Sequence, residues 1–180
     1  MSTHPYSNGR NQDVDRLDTI EERLPPFSQE NEEAALGSLL IDPDAIYEVQ
    51  SFLRADDFYR AANRWIFEAI CALHDHKTPV DVVTLIEELR RREHLEEVGG
   101  ESAIINLLNA VPTSINVEAY GRAVHDAAVR RRLIGAAGRA AKLAWDESLP
   151  IDQVIGEAER ALFAVSDELT ADSVTDARTA

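Results

Sequence analysis

The sequence predicts an all-α protein, with a compact helical head followed by a projecting antiparallel helical hairpin. Apolar residues recur at helical spacing through most of the 180 residues, and the few prolines and glycines punctuate these periodic segments. The stretch from Asn116 to Leu169 reads as a long helix, a break at Ser148-Leu149-Pro150 and a shorter returning helix. A hydrophobic content of 44% is sufficient for one domain with a core and an appendage.

The head is predicted to occupy residues 24–115, after a polar, disordered tail at residues 1–23. Ser28 is expected to cap the first helix, Asp42-Pro43 to begin the second and Asp81 to cap the fourth. Asp56-Asp57-Phe58-Tyr59 forms a linker with two aromatic anchors, and Gly99-Gly100 forms a turn. The predicted core comprises Ala35, Leu36, Leu39, Leu40, Ile46, Val49, Phe52, Trp65, Ile66, Ala69, Ile70, Leu73, Val82, Leu85, Ile86, Leu89, Ile104, Leu107 and Leu108.

The hairpin is predicted at residues 116–169, with Asn116 as the cap of its long arm and residues 170–180 as the start of a linker. The apolar set of the long arm is narrow at first and widens from Val129, where it covers roughly half of the helical circumference. Its polar face, which is expected to lie in water, consists of Arg132, Arg139, Lys142 and Asp146. The return arm has one seam that should pack on the long arm: Ile151, Val154, Ile155, Ala158, Leu162, Val165 and Leu169.

Because one returning helix covers only part of the wide apolar arc, the hairpin is predicted to be a dimerisation arm. The residues expected to mediate self-association are Leu133, Ile134, Ala137, Ala141, Leu143 and Trp145. A helix of about thirty residues is about 45 Å long and can supply the roughly 800 Å² that a stable interface buries on each partner. The alternative is that the head or tail of the same chain covers this arc.

The composition excludes several classes of protein. The net charge of −15 repels phosphate backbones, so tight autonomous binding of DNA or RNA is not expected. The chain has no apolar run that could cross a membrane, and its N-terminus lacks the hydrophobic segment of a signal peptide. The single cysteine, Cys71, cannot form an internal disulfide, which fits a cytoplasmic location.

Candidate chemical motifs all have a structural interpretation that we favour. The sequence lacks the GxxxxGK-Ser/Thr run of a P-loop. His74-Asp75-His76 is interpreted as a solvated helix end, because adjacent helical positions diverge and do not converge on a metal. Asp56-Asp57 and Asp42-Pro43-Asp44 are interpreted as capping residues, and Cys71 as a core thiol. We therefore predict no catalytic, cofactor-binding or metal-binding residue in this chain.

The basic cluster Arg130-Arg131-Arg132, followed by Arg139 and Lys142, is unusual in so acidic a chain. It could contact DNA, but no aromatic residues are interspersed for base stacking. Solvated or interfacial arginines are the interpretation that we favour.

In order and spacing, several short motifs make the chain resemble the N-terminal domain of the bacterial replicative DNA helicase, the DnaB family. They are Leu24-Pro25-Pro26, Glu33-Ala34-Ala35-Leu36-Gly37-Ser38-Leu39-Leu40-Ile41-Asp42-Pro43, Asp57-Phe58-Tyr59, Ile66-Phe67-Glu68-Ala69-Ile70, Pro79-Val80-Asp81-Val82-Val83-Thr84, Leu95-Glu96-Glu97-Val98-Gly99-Gly100, Val111-Pro112-Thr113-Ser114-Ile115-Asn116-Val117 and Arg131-Arg132-Leu133-Ile134. The sequence departs from the family pattern at Asn63, Ala103 and Gly121, where histidine, tyrosine and alanine are usual.

The resemblance implies a parent protein that is a hexameric, ATP-driven 5′-to-3′ DNA helicase at the replication fork, in the cytoplasm. It implies a collar of N-terminal domains arranged as a trimer of dimers through their hairpins, and docking of the helicase-binding domain of primase and, in some species, a loader. By position, Glu30 and Ile134 are candidates to face primase. ATP and Mg²⁺ would bind a motor domain that is absent from this chain. Two alternatives are that the natural protein is the complete helicase, of which this chain is a fragment, or that it is a stand-alone all-α adaptor or DNA-binding regulator.

Overall fold

The computed structural model describes residues 24–111 and 116–176, with side chains placed as far as Asp167. Within these ranges the chain contains no strand, and its α-helices are α1 Gln29–Ile41, α2 Ile46–Val49, α3 Ala61–Asp75, α4 Val82–Arg91, α5 Gly100–Asn109, α6 Val117–Trp145 and α7 Ile151–Asp176. The predicted all-α fold is therefore confirmed. The N-terminal tail and residues 112–115, which belong to one of the family motifs, lie outside the described residues.

Local capping bonds set most of the predicted helix starts. The Ser28 hydroxyl accepts a hydrogen bond from the backbone N–H of Asn31 at 3.2 Å. Asp81 and Thr84 form a reciprocal capping box at 2.9 and 3.0 Å. Asn116 occupies the predicted N-cap position of α6, but its side chain makes no capping hydrogen bond, so the position is confirmed and the capping contact is not.

Asp42-Pro43 acts as predicted, although what it opens first is a 3₁₀ turn at Pro43–Ala45 that leads into α2. The Asp42 carboxylate accepts a hydrogen bond from the N–H of Asp44 at 3.2 Å. At the other predicted turn, Gly99 and Gly100 both have positive φ angles, of 100° and 73°, which glycine adopts without strain.

The core of the head contains most of the predicted residues. Trp65, Val82, Ile86 and Leu108 are only partly buried at its edge, and Trp65 stacks on His94 with ring centroids 4.3 Å apart. The fully enclosed members of the predicted set are Ala35, Leu36, Leu39, Val49, Ala69, Leu85, Leu89 and Ile104. Of the two predicted aromatic anchors, Phe58 is fully buried, whereas Tyr59 is 40% exposed.

Helix α6 is shared between the head and the hairpin. Val117 and Val124 belong to the core of the head. An ideal Cβ on Gly121 would lie 3.1 Å from Val49 Cγ1, so glycine lets α6 approach α2 closely here. The predicted boundary at residue 115 therefore separates parts that pack together, and the first turns of α6 complete the head.

Helix α7 packs on α6 along a narrower seam than the sequence predicted. Val154 and Val165 are buried, and Ala158 is half-buried. Ile151, Ile155 and Leu162 are 69%, 51% and 42% exposed, so their assignment to the seam is wrong. At 100° per residue these three lie about 60–100° around the helix from Val154, and the contact is too narrow to cover them. The backbone of α7 also continues as helix past Leu169, the predicted end, to Asp176.

Candidate interaction surface

The distal half of α6 carries an exposed apolar face. Leu133 and Ile134 are each 49% exposed, and Trp145 is 79% exposed. Ala137 and Ala141 lie exposed between them. Leu143, the sixth residue predicted to self-associate, is half-buried and offers less of its side chain. Within the residues that the structure describes, the head and α7 thus leave most of the predicted surface uncovered.

The outward flank of α7 extends this face. On α6, Leu133 and Ala137 lie about 60° and 100° around the helix from the buried Ala136. Right-handed helices that run antiparallel wind in opposite senses when they are viewed from one end, so residues at these angles on α6 face the same side as residues about 60–100° from Val154 on α7. Leu133 and Ala137 of α6 therefore share one side of the hairpin with Ile151, Ile155 and Leu162 of α7. We refer to Leu133, Ile134, Ala137, Ala141, Trp145, Ile151, Ile155 and Leu162 together as the hairpin face.

The two candidate primase-facing residues are both accessible. Glu30 is exposed in the first turn of α1, on the head. Ile134 lies on α6 just beyond the arginines that contact the head. They occupy different elements, so a partner that contacted both would span the junction of head and hairpin.

At that junction lies a buried polar network, which the sequence analysis missed. Asp57 is 1% exposed. Its carboxylate accepts hydrogen bonds from the N–H of Arg54 at 3.0 Å and from the Arg132 guanidinium, and it lies 3.1 Å from His125 Nδ1. Asp57 was predicted to be a helix cap and Arg132 to lie in water. Both descriptions are incomplete, because the two side chains form an ion pair between the head and α6.

Glu32 is the second buried carboxylate of this network, and it is 2% exposed. It accepts hydrogen bonds from the N–H of Tyr59 at 2.7 Å and from the amide of Asn63 at 2.8 Å. Asn63, one of the departures from the family pattern, therefore has a defined role as a donor. Nothing in the local sequence marked Glu32 as buried, because its partners lie about thirty residues away along the chain.

Arg131 completes the network. Its guanidinium donates to the carbonyl oxygen of Pro26 at 2.7 Å and to that of Asp57, and it lies 5.4 Å from the centre of the Tyr59 ring. Phe27 stacks on this same Tyr59 ring, with the two ring centroids 4.5 Å apart. Burial lowers the pKa of Arg131 despite the nearby carboxylates of Glu32 and Asp57. These contacts fix the direction in which the hairpin leaves the head.

The remaining candidate motifs have ordinary environments. Burial, reinforced by Asp75 and Glu68, raises the pKa of the Cys71 thiol to about 11, which disfavours the thiolate that a nucleophile requires. His74 Nδ1 lies 3.9 Å from the carboxylate of its neighbour Asp75. Among the described residues, no group of three or more His, Cys, Asp or Glu side chains could hold a metal ion. The same part of the chain contains no helix long and apolar enough to traverse a bilayer.

Comparison with known proteins gives a consistent result. Residues 24–126 match the family model described as the DnaB-like helicase N-terminal domain. The replicative DNA helicase DnaB of Geobacillus stearothermophilus is 43% identical over 145 residues, which are 81% of this chain and 32% of that protein. The replicative DNA helicase DnaC of Bacillus subtilis is 36% identical over 149 residues, which are 83% of this chain and 33% of that protein. The chain thus spans about a third of the length of these relatives.

Solved structures show the same fold. The N-terminal domain of DnaB helicase from Mycobacterium tuberculosis superposes with a TM-score of 0.75 at 33% identity, over 78% of this chain and 99% of that one. The N-terminal domain of DnaB helicase from Helicobacter pylori, described with its interactions with primase, gives a TM-score of 0.57 at 24% identity, over 73% of this chain and 96% of that one. At that identity the second likeness concerns the fold alone.

Proposed function

This chain belongs to the DnaB-like helicase N-terminal domain family, and on that premise we propose that it is the collar domain of a hexameric replicative helicase. In this proposal the domain self-associates through its hairpin, as a dimer that becomes a trimer of dimers in the hexamer. It also docks primase and, in some settings, a loader. ATP-driven unwinding with Mg²⁺ would belong to a motor domain in the remaining two thirds of a full-length protein.

The observation that carries the self-association proposal is the hairpin face. Leu133, Ile155 and Trp145, which are 49%, 51% and 79% exposed, belong to a group of exposed apolar side chains that the two helices of the hairpin bring close together. Contiguous apolar patches on soluble proteins commonly mark interaction sites. An isologous dimer would bury the same face of two copies together, which makes a hairpin pair the simplest arrangement.

Docking of primase is supported by the family and by two accessible residues. The N-terminal domain of H. pylori DnaB, which has this fold, interacts with primase. In our proposal Glu30 on the head and Ile134 on the hairpin contact the helicase-binding domain of primase. A bound partner of this kind would favour one arrangement of the collar over another, and the domain itself would perform no chemistry.

Light scattering coupled to size exclusion tests self-association. We expect the purified chain to have the mass of a dimer or of a multiple of dimers. Leu133→Glu should give monomers with unchanged helicity, because a carboxylate cannot be buried unpaired in an apolar interface. Val83→Glu is the matched control, since Val83 is 65% exposed on the head. An unchanged mass for Leu133→Glu would reject the hairpin face as the interface.

Calorimetric titration with the helicase-binding domain of primase tests the docking proposal. Glu30→Lys should weaken binding several-fold, whereas Glu48→Lys, an exposed charge reversal on α2, should leave it unchanged. Equal affinities of the two variants would remove Glu30 from the proposed contact. If the wild-type chain bound DNA with an affinity that falls as the salt concentration rises, the alternative function of a DNA-binding regulator would be favoured over the collar domain.

A further inference from the structure

Two aromatic side chains lie exposed side by side at the junction of head and hairpin. Phe27 is 38% exposed and Tyr59 is 40% exposed. Their rings stack with centroids 4.5 Å apart and planes inclined by 23°. We refer to this pair as the junction aromatics. Aromatic side chains are enriched at the centres of protein interfaces, because they bury a large apolar area when a partner covers them.

The position of Phe27 is not the one that helix capping favours. An apolar residue that precedes an N-cap, as Phe27 precedes Ser28, commonly packs on the fourth residue of the helix. In α1 that fourth residue is Glu32, whose carboxylate is buried and bonded to the N–H of Tyr59. Phe27 therefore lies outside the core, on the Tyr59 ring, where part of its surface remains in water.

Contacts from the buried network hold the junction aromatics in place. The backbone of Tyr59 is fixed by its 2.7 Å hydrogen bond to Glu32, and the guanidinium of Arg131 lies 5.4 Å from the centre of the Tyr59 ring. Arg131 also donates to the carbonyl oxygen of Pro26, the residue before Phe27. These contacts support the rings from within the molecule. Side chains that are already ordered lose little conformational entropy when a partner binds.

The junction aromatics also lie between the two residues that are proposed to face primase. Glu30 is in the first turn of α1, three residues after Phe27. Ile134 is three residues after Arg131 on α6, and side chains at this spacing on a helix are neighbours. A partner that contacts both Glu30 and Ile134 would therefore pass over the stacked rings.

We propose, on the basis of the docking function above, that the junction aromatics are the apolar anchor for the helicase-binding domain of primase. The matching surface of that domain would place an apolar side chain on the rings and a basic side chain beside the exposed carboxylate of Glu30. Buried apolar anchors contribute most of the affinity of such contacts, whereas exposed ion pairs at the rim contribute little. The loss of Phe27 should therefore weaken docking more than the charge reversal of Glu30.

Calorimetric titration of the full chain with the helicase-binding domain of primase tests this proposal. Phe27→Ala should weaken binding about 10-fold or more, as expected for an anchor residue. Phe27→Tyr keeps the stacked ring and should bind like the wild type. Tyr47→Ala is the matched control, because Tyr47 is a 61% exposed aromatic residue on α2, where its ring meets the edge of His74 and not the junction. It should leave the affinity unchanged.

A fluorine label distinguishes direct contact from an effect on the fold. With 4-fluorophenylalanine in place of Phe27, the ¹⁹F NMR signal should shift on titration with the same domain. The same label in place of Phe163, which is 64% exposed on α7, should not respond.

The outcomes separate the anchor from the docking function itself. If the wild type binds and Phe27→Ala binds equally well, the anchor is wrong and the docking function stands. If Phe27→Ala binds more weakly but the label at position 27 does not respond, Phe27 acts through the fold, and the proposal is overturned. No binding by the wild type would reject the docking function and the anchor together.

Discussion

Replacing Asp57 by alanine should destabilise the protein more than any other change of a single charge at the junction of head and hairpin. The carboxylate is 1% exposed and has Arg132, His125 and the N–H of Arg54 as neighbours. Removing one partner of a buried ion pair typically costs about 3–5 kcal/mol. The Arg132 side chain keeps 31% of its surface in solvent, so part of its charge is rehydrated. We therefore expect a loss of about 3 kcal/mol.

Urea unfolding followed by circular dichroism at fixed protein concentration measures this loss, since self-association would otherwise contribute to apparent stability. Asp56→Ala is the control. Asp56 is the preceding residue, its side chain is 87% exposed, and its contact with Arg64 is 3.5 Å long. Removing an exposed pair of this kind should cost at most about 0.5 kcal/mol. If the Asp57→Ala and Asp56→Ala variants were equally stable, Asp57 would not anchor the hairpin as described.

Three further predictions concern other parts of the fold. Gly37→Ala should lower the melting temperature by about 4–8 °C, because a Cβ at this position would lie 2.3 Å from a backbone carbonyl oxygen of α5. Gly138→Ala is the control, because the space around Gly138 is open, and it should raise the free energy of unfolding by about 0.5–1 kcal/mol. Cys71 should react with Ellman's reagent far more slowly in the folded protein than in urea, since at pH 8 a pKa of about 11 leaves about 0.1% thiolate. Above about pH 8.5, which is the pKa of an unfolded cysteine, the Cys71 thiol ionises readily only in the unfolded chain. The free energy of unfolding should therefore decrease as the pH rises above this value. Hydrogen bonds from Arg91 and Arg92 lower the pKa of Glu88 to about 2. The wild type should therefore unfold at a higher urea concentration than Glu88→Gln. This difference should be complete above about pH 4.5 and should shrink as the pH falls toward 2, where the Glu88 carboxylate becomes protonated.

The features that the sequence predicted correctly are those that depend on neighbours along the chain. Ser28 and Asp81 cap helices because an oxygen there meets an N–H three residues later, which local spacing is enough to define. The core of the head followed from the helical recurrence of residues such as Leu36 and Leu85. The exposure of Leu133 and Ile134 followed from an apolar arc too wide for one partner helix.

What could not be predicted depends on partners far apart in sequence. Asp57 and Arg132 are 75 residues apart, and nothing local distinguishes a buried aspartate from a capping one. The predicted seam of α7 was wrong for a different reason. That helix carries two adjacent apolar stripes, one through Val154 and Val165 and one through Ile155 and Leu162. Periodicity identifies both stripes but does not say which one packs within the chain, because the choice depends on how α7 sits on α6.

The network at Asp57 also bears on why a hairpin can serve in assembly. An arm that moved freely on its head would lose orientational entropy whenever two copies paired, and this loss weakens association. Here α6 is one continuous helix from the core of the head to Trp145, and Arg131 and Arg132 attach its middle to the backbone and carboxylate of Asp57. The hairpin face is therefore held in one direction before any partner arrives. On this reasoning Asp57→Ala should weaken self-association as well as folding, although Asp57 lies on the head and contributes nothing to the hairpin face.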